Sequence, residues 1–596
     1  MTSVCSHGPV RASAAHASSV PMMSLQTHLS DLTGQAFADL GLPADLGEVL
    51  PSQRPELAQY QCNGAMAAAK EAGKPPREIA EAVASTLAGE SEIASTEVAG
   101  PGFINIILTD ETLADWGGRA ATDDHLGFEK TTDPITVVVD YAGPNVAKAM
   151  HVGHLRATII GDSLARLFSF AGHNVIRDPH FGDWGFQMGL LITAVNEESI
   201  DAASITLQDL QRIYPEAATR AGENKAFSDK ARQATVRLQA GDPQSLDVWR
   251  QMKTVSEASQ RQDFAALGVN FDLWYGESDV HDRLASLVDQ LVASGVAVES
   301  NGALVVPIER PDDNRKWPPL ILRSSAGGFL YSTTDVATIQ LRVDELHADL
   351  VLYVVDHRQG DHFIQVFRTA RKGGIAPDTV RLEHIGFGTM NGPDGKPFKT
   401  REGGVVRLGD VIEMITDAAR ARLDEAQLAA DYPEKEKSRI AGQVGVAALK
   451  FGDLINNRSS DYVFDIDRFG SFEGKTGPYL QYTAVRINSI LRKANAQKLS
   501  PGEIRPPALA VERALMLELL HMPEVIDRAI DLRAPNHVAE YAYGLAGKFN
   551  RFYDTCHILS EGDPLKQGSW LALSAWTLDA ITRLLDLLGI EVPDRM

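Results

Sequence analysis

Between Asp140 and Arg156 the chain reads DYAGPNVAKAMHVGHLR. Lys148, His151 and His154 fall close together, and Gly153 separates the two histidines. Imidazole N–H groups donate to phosphate oxygens, a lysine adds fixed positive charge, and a glycine lets backbone approach a ligand closely. If a helix opens at His151, its free N–H groups and positive dipole end add to the attraction for an anion. The pattern is neither GxxxxGK[ST] nor GxGxxG. Histidines at a helix start also serve as caps or core residues. Zinc lacks a third ligand clustered nearby. Taken alone, the tetrapeptide leaves polyphosphate binding and capping both open.

Other segments carry chemistry too. YSTTDVATIQLR (331–342) offers Tyr331, a pocket wall or a core aromatic, and Asp335, a carboxylate for a cation or a helix N-cap. GKPFKTREGG (395–404) presents Lys396, Lys399 and Arg401 on a glycine-rich loop, either a mobile cationic cover or a solvated basic turn. AGPGFIN (99–105) puts Phe103 and Asn105 at a tight turn. HVAEYAYGLAGKFNRFYDTCHIL (537–559) interleaves Tyr541, Phe549 and Tyr553 with Lys548 and Arg551. Such aromatics can stack on bases, and on helices they also build cores.

The elements that must hold these groups follow from hydrophobic patterning. ITVVVDY (135–141) is a β-branched run suited to a strand buried on both faces. A turn, a helix from about 152 to 170, and a second strand near HNVIRDPHFGD complete a βαβ unit. Stretches near 304–309, 349–356 and 380–388 read as further strands. Residues 133–455 are therefore expected to form a Rossmann-like, doubly wound α/β domain with a parallel sheet, and the polar segment near 200–261 a helical insertion. Residues 24–122 read as a small α+β domain, and 456–596, where strands vanish and apolar spacing turns helical, as an all-α bundle. Residues 1–23 are set aside as a tail or start-site extension.

The 596 residues carry 57 Lys+Arg against 79 Asp+Glu, a formal net charge of −22. Hydrophobic and charged fractions of 44% and 23% are ordinary for a globular chain and exclude collagen and disordered classes. Cys5, Cys62 and Cys556 are far apart and form no CxxC, which argues against a disulfide scaffold or cysteine-rich metal site. No apolar run reaches the roughly 20 residues that span a bilayer, and no secretory leader is evident, so a cytoplasmic protein without a membrane partner is expected. The acidic total reads against nucleic acid, yet residues 456–596 hold 16 Lys+Arg against 18 Asp+Glu and are nearly neutral.

Context narrows the alternatives. The stretch from Gly143 to Gly189 resembles the nucleotide-binding signature of class I aminoacyl-tRNA synthetases, specifically the arginyl-tRNA synthetase family, with HVGH in place of its HIGH-type motif. The resemblance continues through 331–342, 353–367, 388–408 and 474–487 to the terminal LLGIEVPDRM. It implies ATP-dependent activation of L-arginine, transfer to the 3′ end of tRNA(Arg), and release of AMP and pyrophosphate, with Mg2+ on the ATP phosphates and no metal ligand from the protein. It implies ATP contacts from Lys148, His151, Gly153 and His154, with Lys396, Lys399 and Arg401 in a degenerate KMSKS-type loop. Lys148 matches a lysine that compensates for one missing from that loop. The implied arginine pocket takes Asp140, Asn145, His151, Tyr331, Asp335 and Gln359. Phe103 and Asn105 are implied at the tRNA elbow, and Tyr541, Lys548 and Arg551 in the anticodon-binding bundle. A monomer is expected. Two departures stand out: Asp140 replaces a glutamate, and Ala142-Gly143 replace two serines.

Overall fold

A computed structural model describes residues 22–596 except 53, 55, 56, 326, 393, 394, 396–405 and 428–431. Two compact units result.

The first combines residues 22–130 with residues 504–524. Its antiparallel sheet runs in the order Val49–Pro51, Tyr60–Cys62, Phe103–Leu108, Ile93–Ala99. Helices Leu25–Asp39 and Pro76–Leu87 bury Leu29, Phe37, Val83 and Leu87 in its core with Ile104 and Ile106. Thr109 caps helix Asp110–Thr122 through Thr112 N–H. Helix Ala510–Leu520 packs on that helix. Its Arg513 pairs with Asp110 and donates to the Leu108 carbonyl at 2.6 Å. Residues 504–524, expected within a continuous C-terminal bundle, thus belong with N-terminal sequence 400 residues away, because an apolar helical repeat does not encode its partner.

The second unit is built on a four-stranded parallel sheet ordered Arg381–His384, Leu350–Val354, Thr136–Tyr141, Asn174–Asp178. The two central strands are almost wholly buried, as their β-branched and aliphatic runs require. Helix Val152–Phe170 leads from the Thr136 strand to Asn174–Asp178 on one side. Helix Gly360–Lys372 leads from the Leu350 strand to Arg381–His384 on the other. The order reverses between the two central strands, and the crevice at such a switch point is where open α/β sheets bind ligands.

Three helices, Leu207–Glu223, Lys225–Gln239 and Pro243–Ala266, form the insertion and share an apolar core with helix Phe186–Glu197. Two expectations need correction. The stretch near 304–309 contributes to a separate antiparallel sheet of Val298–Ser300, Ala303–Val306 and Leu320–Arg323, since a short apolar run does not distinguish parallel from antiparallel pairing. Strand structure also reaches past residue 456: Tyr462–Val463 pairs with Met390–Asn391. Helices Gly477–Ala496, Asn536–Thr555 and Pro564–Leu587 then pack together around Leu480, Leu545, Phe549, Leu573 and Trp576.

Candidate functional site

The Thr136–Tyr141 strand ends at the switch point, and the chain turns through positive φ at Ala142 (77°), Gly143 (48°) and Ala147 (66°). It enters helix Val152–Phe170 with His151 as N-cap. Gly153 N–H donates to His151 Nδ1 at 3.0 Å, and His151 N–H donates to His154 Nδ1 at 3.1 Å. A backbone N–H can only donate, so both Nδ1 atoms are unprotonated acceptors. Each neutral ring therefore carries its proton on Nε2. Burial, with help from the Lys148 charge, lowers the His151 pKa. Burial, His151 and Lys148 hold His154 down at about 3. The two rings lie 4.0 Å apart between centroids. A Cβ on Gly153 would sit 2.7 Å from His151 Cε1, so glycine is needed there for the ring to keep its place.

A cavity of roughly 400 Å³ opens beside these rings. Asp140, Gly143, Gly153, Ala157, Asp356 and Phe387 are among the residues that line it. Arg156 lines it too, although nearly inaccessible to solvent. Its Nε bonds Asp453 at 3.0 Å, and its Nη1 donates to the Ser460 carbonyl at 3.0 Å. Backbone pairing joins this region to the chain emerging from residues 396–405. Val152 N–H donates to Val406 O at 3.2 Å, and Leu408 N–H to Met150 O at 2.9 Å. Lys396, Lys399 and Arg401 lie outside the described residues.

On the other side of the loop the chemistry turns acidic. Asp335, in the first turns of helix Tyr331–Asp344, accepts from His362 Nε2 at 2.6 Å. The Tyr331 ring stands 5.0 Å from His362, and Tyr331 is 63% exposed. Glu277 faces the same region and was not singled out by sequence. Burial, then the charges of Asp335 and Asp183, raises its carboxyl to about 7. Glu277 and Asp335 thus feel one another's charge, a perturbation of the kind found at functional sites. A Cβ on Gly182 would lie 2.2 Å from Asn145 Oδ1, so Asn145 is seated against bare backbone. Gln359 is exposed just before helix Gly360–Lys372.

Asp140 stands differently from a free ligand. It is buried, and Arg342 Nη2 bridges it to Asp178 at 2.8 Å to each. Burial raises the Asp140 carboxyl against the pull of Arg342. Burial also opposes ionisation of Asp178, but His180 and Arg342 together hold it at about 2. His180 is pushed down by burial and more strongly up by Asp178 and Asp140, to about 9. Asp140 is therefore one corner of a buried charge network at the strand ends. Sequence reading missed the neighbouring Asp178 and His180 and the distant Arg342, which join Asp140 only through the fold.

The residues singled out for nucleic acid divide. Phe103 is half-buried, while Asn105 is buried and accepts from Gln61 Nε2 at 2.8 Å. Tyr541 and Phe549 are buried in the helical core, so the expected stacking by these two gives way to packing: the apolar stripe they complete faces inward. Lys548 is half-buried and Arg551 exposed. Tyr553 is half-buried, with the Arg486 guanidinium 4.4 Å from its ring centroid.

Comparison with known proteins places these observations. Residues 120–466 match tRNA synthetases class I (R), catalytic domain. Residues 480–596 match the DALR anticodon binding domain, and residues 24–108 the arginyl tRNA synthetase N terminal domain. An arginine–tRNA ligase of Maricaulis maris is 48% identical over 590 residues, covering 96% of this chain and all of the relative. One of Hyphomonas neptunium is 46% identical with the same coverage. Among solved structures, the arginyl-tRNA synthetase of Plasmodium falciparum superposes with a TM-score of 0.81 at 26% identity, covering 97% of this chain and all of the other. That of Thermus thermophilus gives 0.79 at 25% identity, with 96% and 100% covered.

Proposed function

The chain belongs to the arginyl-tRNA synthetase family of class I, and on that premise we propose that it activates L-arginine with ATP and transfers the arginyl group to tRNA(Arg). The observation that carries this reading is the pair of histidines held through Nδ1 by backbone N–H groups at a helix N-terminus, which leaves each Nε2 as the ring donor. ATP lies in the cavity along Gly153 and Ala157, its phosphates meeting His151, His154, the helix end and Lys148. Asp335 and Glu277 take the guanidinium, whose planar fork suits carboxylates. Tyr331 flanks it, and Asn145 and Gln359 hold the amino-acid end. Asp140 acts through Arg342 in shaping that end. Lys396, Lys399 and Arg401 supply further cations to the phosphates.

The arginine carboxylate attacks the α-phosphorus in line, and pyrophosphate leaves. The histidine and lysine N–H groups stabilise the charge that grows on the phosphate oxygens, and the protein needs no covalent nucleophile. Transfer to a tRNA 3′-terminal hydroxyl then releases AMP. Mg2+ would be held by the ATP phosphates, where it would offset their charge, and no protein residue is assigned to it. Among the described residues no group of three His, Cys, Asp or Glu could hold a metal ion. Residues 24–122 serve the tRNA elbow through Phe103, with the buried Asn105 bracing its strand from within, residues 133–455 the chemistry, and residues 456–596 the anticodon through Lys548 and Arg551, with Tyr541 supporting them from the core. The protein works as a cytoplasmic monomer. Among the described residues no helix is long and apolar enough to cross a membrane.

Pyrophosphate exchange with ATP, tRNA(Arg) and a panel of amino acids tests the reading. Exchange should depend on arginine. Exchange driven by another amino acid and not by arginine would end it.

A further inference from the structure

The loop carrying Asn145 and Lys148 is fixed from outside the parallel sheet. Ala147 holds φ at 66°, a conformation alanine keeps only when its surroundings enforce it. The enforcement comes from the insertion and the helix it packs on. Ala147 N–H donates to Ser256 Oγ at 2.8 Å, and Gln260 Nε2 donates to the Asn145 carbonyl at 3.1 Å. Ser256 and Gln260 are each only 1% exposed, so two buried polar side chains are committed to this loop. Gln187 Nε2 donates to the Val146 carbonyl at 2.8 Å. Val146 and Ala147 pack into the insertion's apolar core with Leu210 and Ile213.

With the backbone set, the Lys148 side chain retains its own rotatable bonds. Its ammonium rests over the ring of Tyr214, 4.6 Å from the centroid, in insertion helix Leu207–Glu223. We propose that Tyr214 is a positioning residue: its ring face holds the Lys148 ammonium beside the two histidines, and the helical insertion thereby helps set the rate of arginine activation. The inference rests on the reading of Lys148 as a phosphate-facing cation. A ring face occupies one side of an ammonium, which leaves the N–H bonds on the other side for a phosphate oxygen. Lysine has among the largest rotamer freedom of any side chain, so confining it before ATP arrives favours the reactive geometry. Lys148 precedes His151 by three residues at the entry to the same helix, and its charge is among the influences that lower both imidazole pKa values.

A double-mutant cycle in the full-length protein tests this, with arginine-dependent pyrophosphate exchange in the presence of tRNA(Arg). Tyr214→Leu should lower kcat roughly tenfold, the scale of one partly desolvated cation–π contact, with the arginine KM unchanged. Tyr214→Phe, which keeps the ring face, should restore the rate. In the Lys148→Ala background, Tyr214→Leu should have no further effect. A Tyr214→Leu enzyme as fast as wild type would overturn the proposal. So would the same fractional loss with and without Lys148, the signature of a general packing defect. If Lys148→Ala itself leaves activation intact, the underlying reading of Lys148 fails and the proposal falls with it.

Discussion

Replacing Glu277 by glutamine should make the unliganded protein more stable at alkaline pH and less able to use arginine. Burial, then Asp335 and Asp183, moves the Glu277 carboxyl from 4.5 to about 7. A carboxyl with a higher pKa in the folded than in the unfolded chain favours folding while it is protonated. That contribution is complete below about pH 4.5 and is lost as the pH rises through about 7. Over this interval it amounts to on the order of 3 kcal/mol. Glutamine keeps an oxygen for Trp184 N–H, which donates to Glu277 Oε2 at 3.2 Å, and has no charge to desolvate. At about pH 8.5 the variant should melt a few degrees above wild type, and the gap should close towards about pH 5. A bound guanidinium reverses the balance by compensating the ionised form. The melting shift that L-arginine gives to wild type should therefore grow from acid to alkaline pH, and Glu277→Gln should lose most of it. Scanning fluorimetry with and without arginine across that pH range reads both effects. Equal midpoints at alkaline pH, or a gap that persists in acid, would refute the argument from a poorly solvated ionised carboxylate. An undiminished arginine shift would remove Glu277 from the pocket.

Other outcomes follow from the same geometry. Gly153→Ala should displace the His151 ring that a Cβ would touch at 2.7 Å, lowering kcat of activation about 100-fold, the scale of one misplaced charge-stabilising donor; single-turnover adenylate formation within twofold of wild type would contradict this. Asp335→Asn should lower kcat/KM for arginine by about 100-fold or more, as expected when one side of a desolvated ion pair is neutralised, and steady-state kinetics with unchanged KM and kcat would remove it from the pocket. Lys148→Ala should slow adenylate formation while filter binding finds tRNA affinity unchanged; the reverse pattern would reassign the residue. Affinity for tRNA(Arg) should fall log-linearly with salt despite the net charge of −22, and a flat response would mean that cationic surface does not carry the contact.

The sequence made the histidine loop readable because strand, turn and helix start are contiguous in it. His151, Gly153 and His154 depend on each other through local hydrogen bonds and a local steric limit. Glu277 could not be read that way: it precedes Asp335 by dozens of residues, in a short turn with no pattern of its own. The Arg342 bridge between Asp140 and Asp178 was hidden for the same reason, since its members sit on three separate elements. Tyr541 and Phe549 show the opposite failure. Aromatics at helical spacing serve a base-stacking face and a core equally well, and only the neighbouring helices decide which. Asn105 likewise looked available at a turn, whereas strand pairing turns it inward against Gln61.

The attachment of helix Ala510–Leu520 to the N-terminal unit has a consequence in time. Asp110 and Arg513 are separated by 403 positions in the chain. At synthesis rates of about 5–20 residues per second, the unit that emerges first waits roughly 20–80 seconds for its last helix. Until then the Leu108 carbonyl and the surface of helix Asp110–Thr122 lack the partners they have in the finished protein. The N-terminal unit is begun first and completed only when nearly the whole chain has been made. A fragment ending near residue 122 would remain permanently at that unfinished stage.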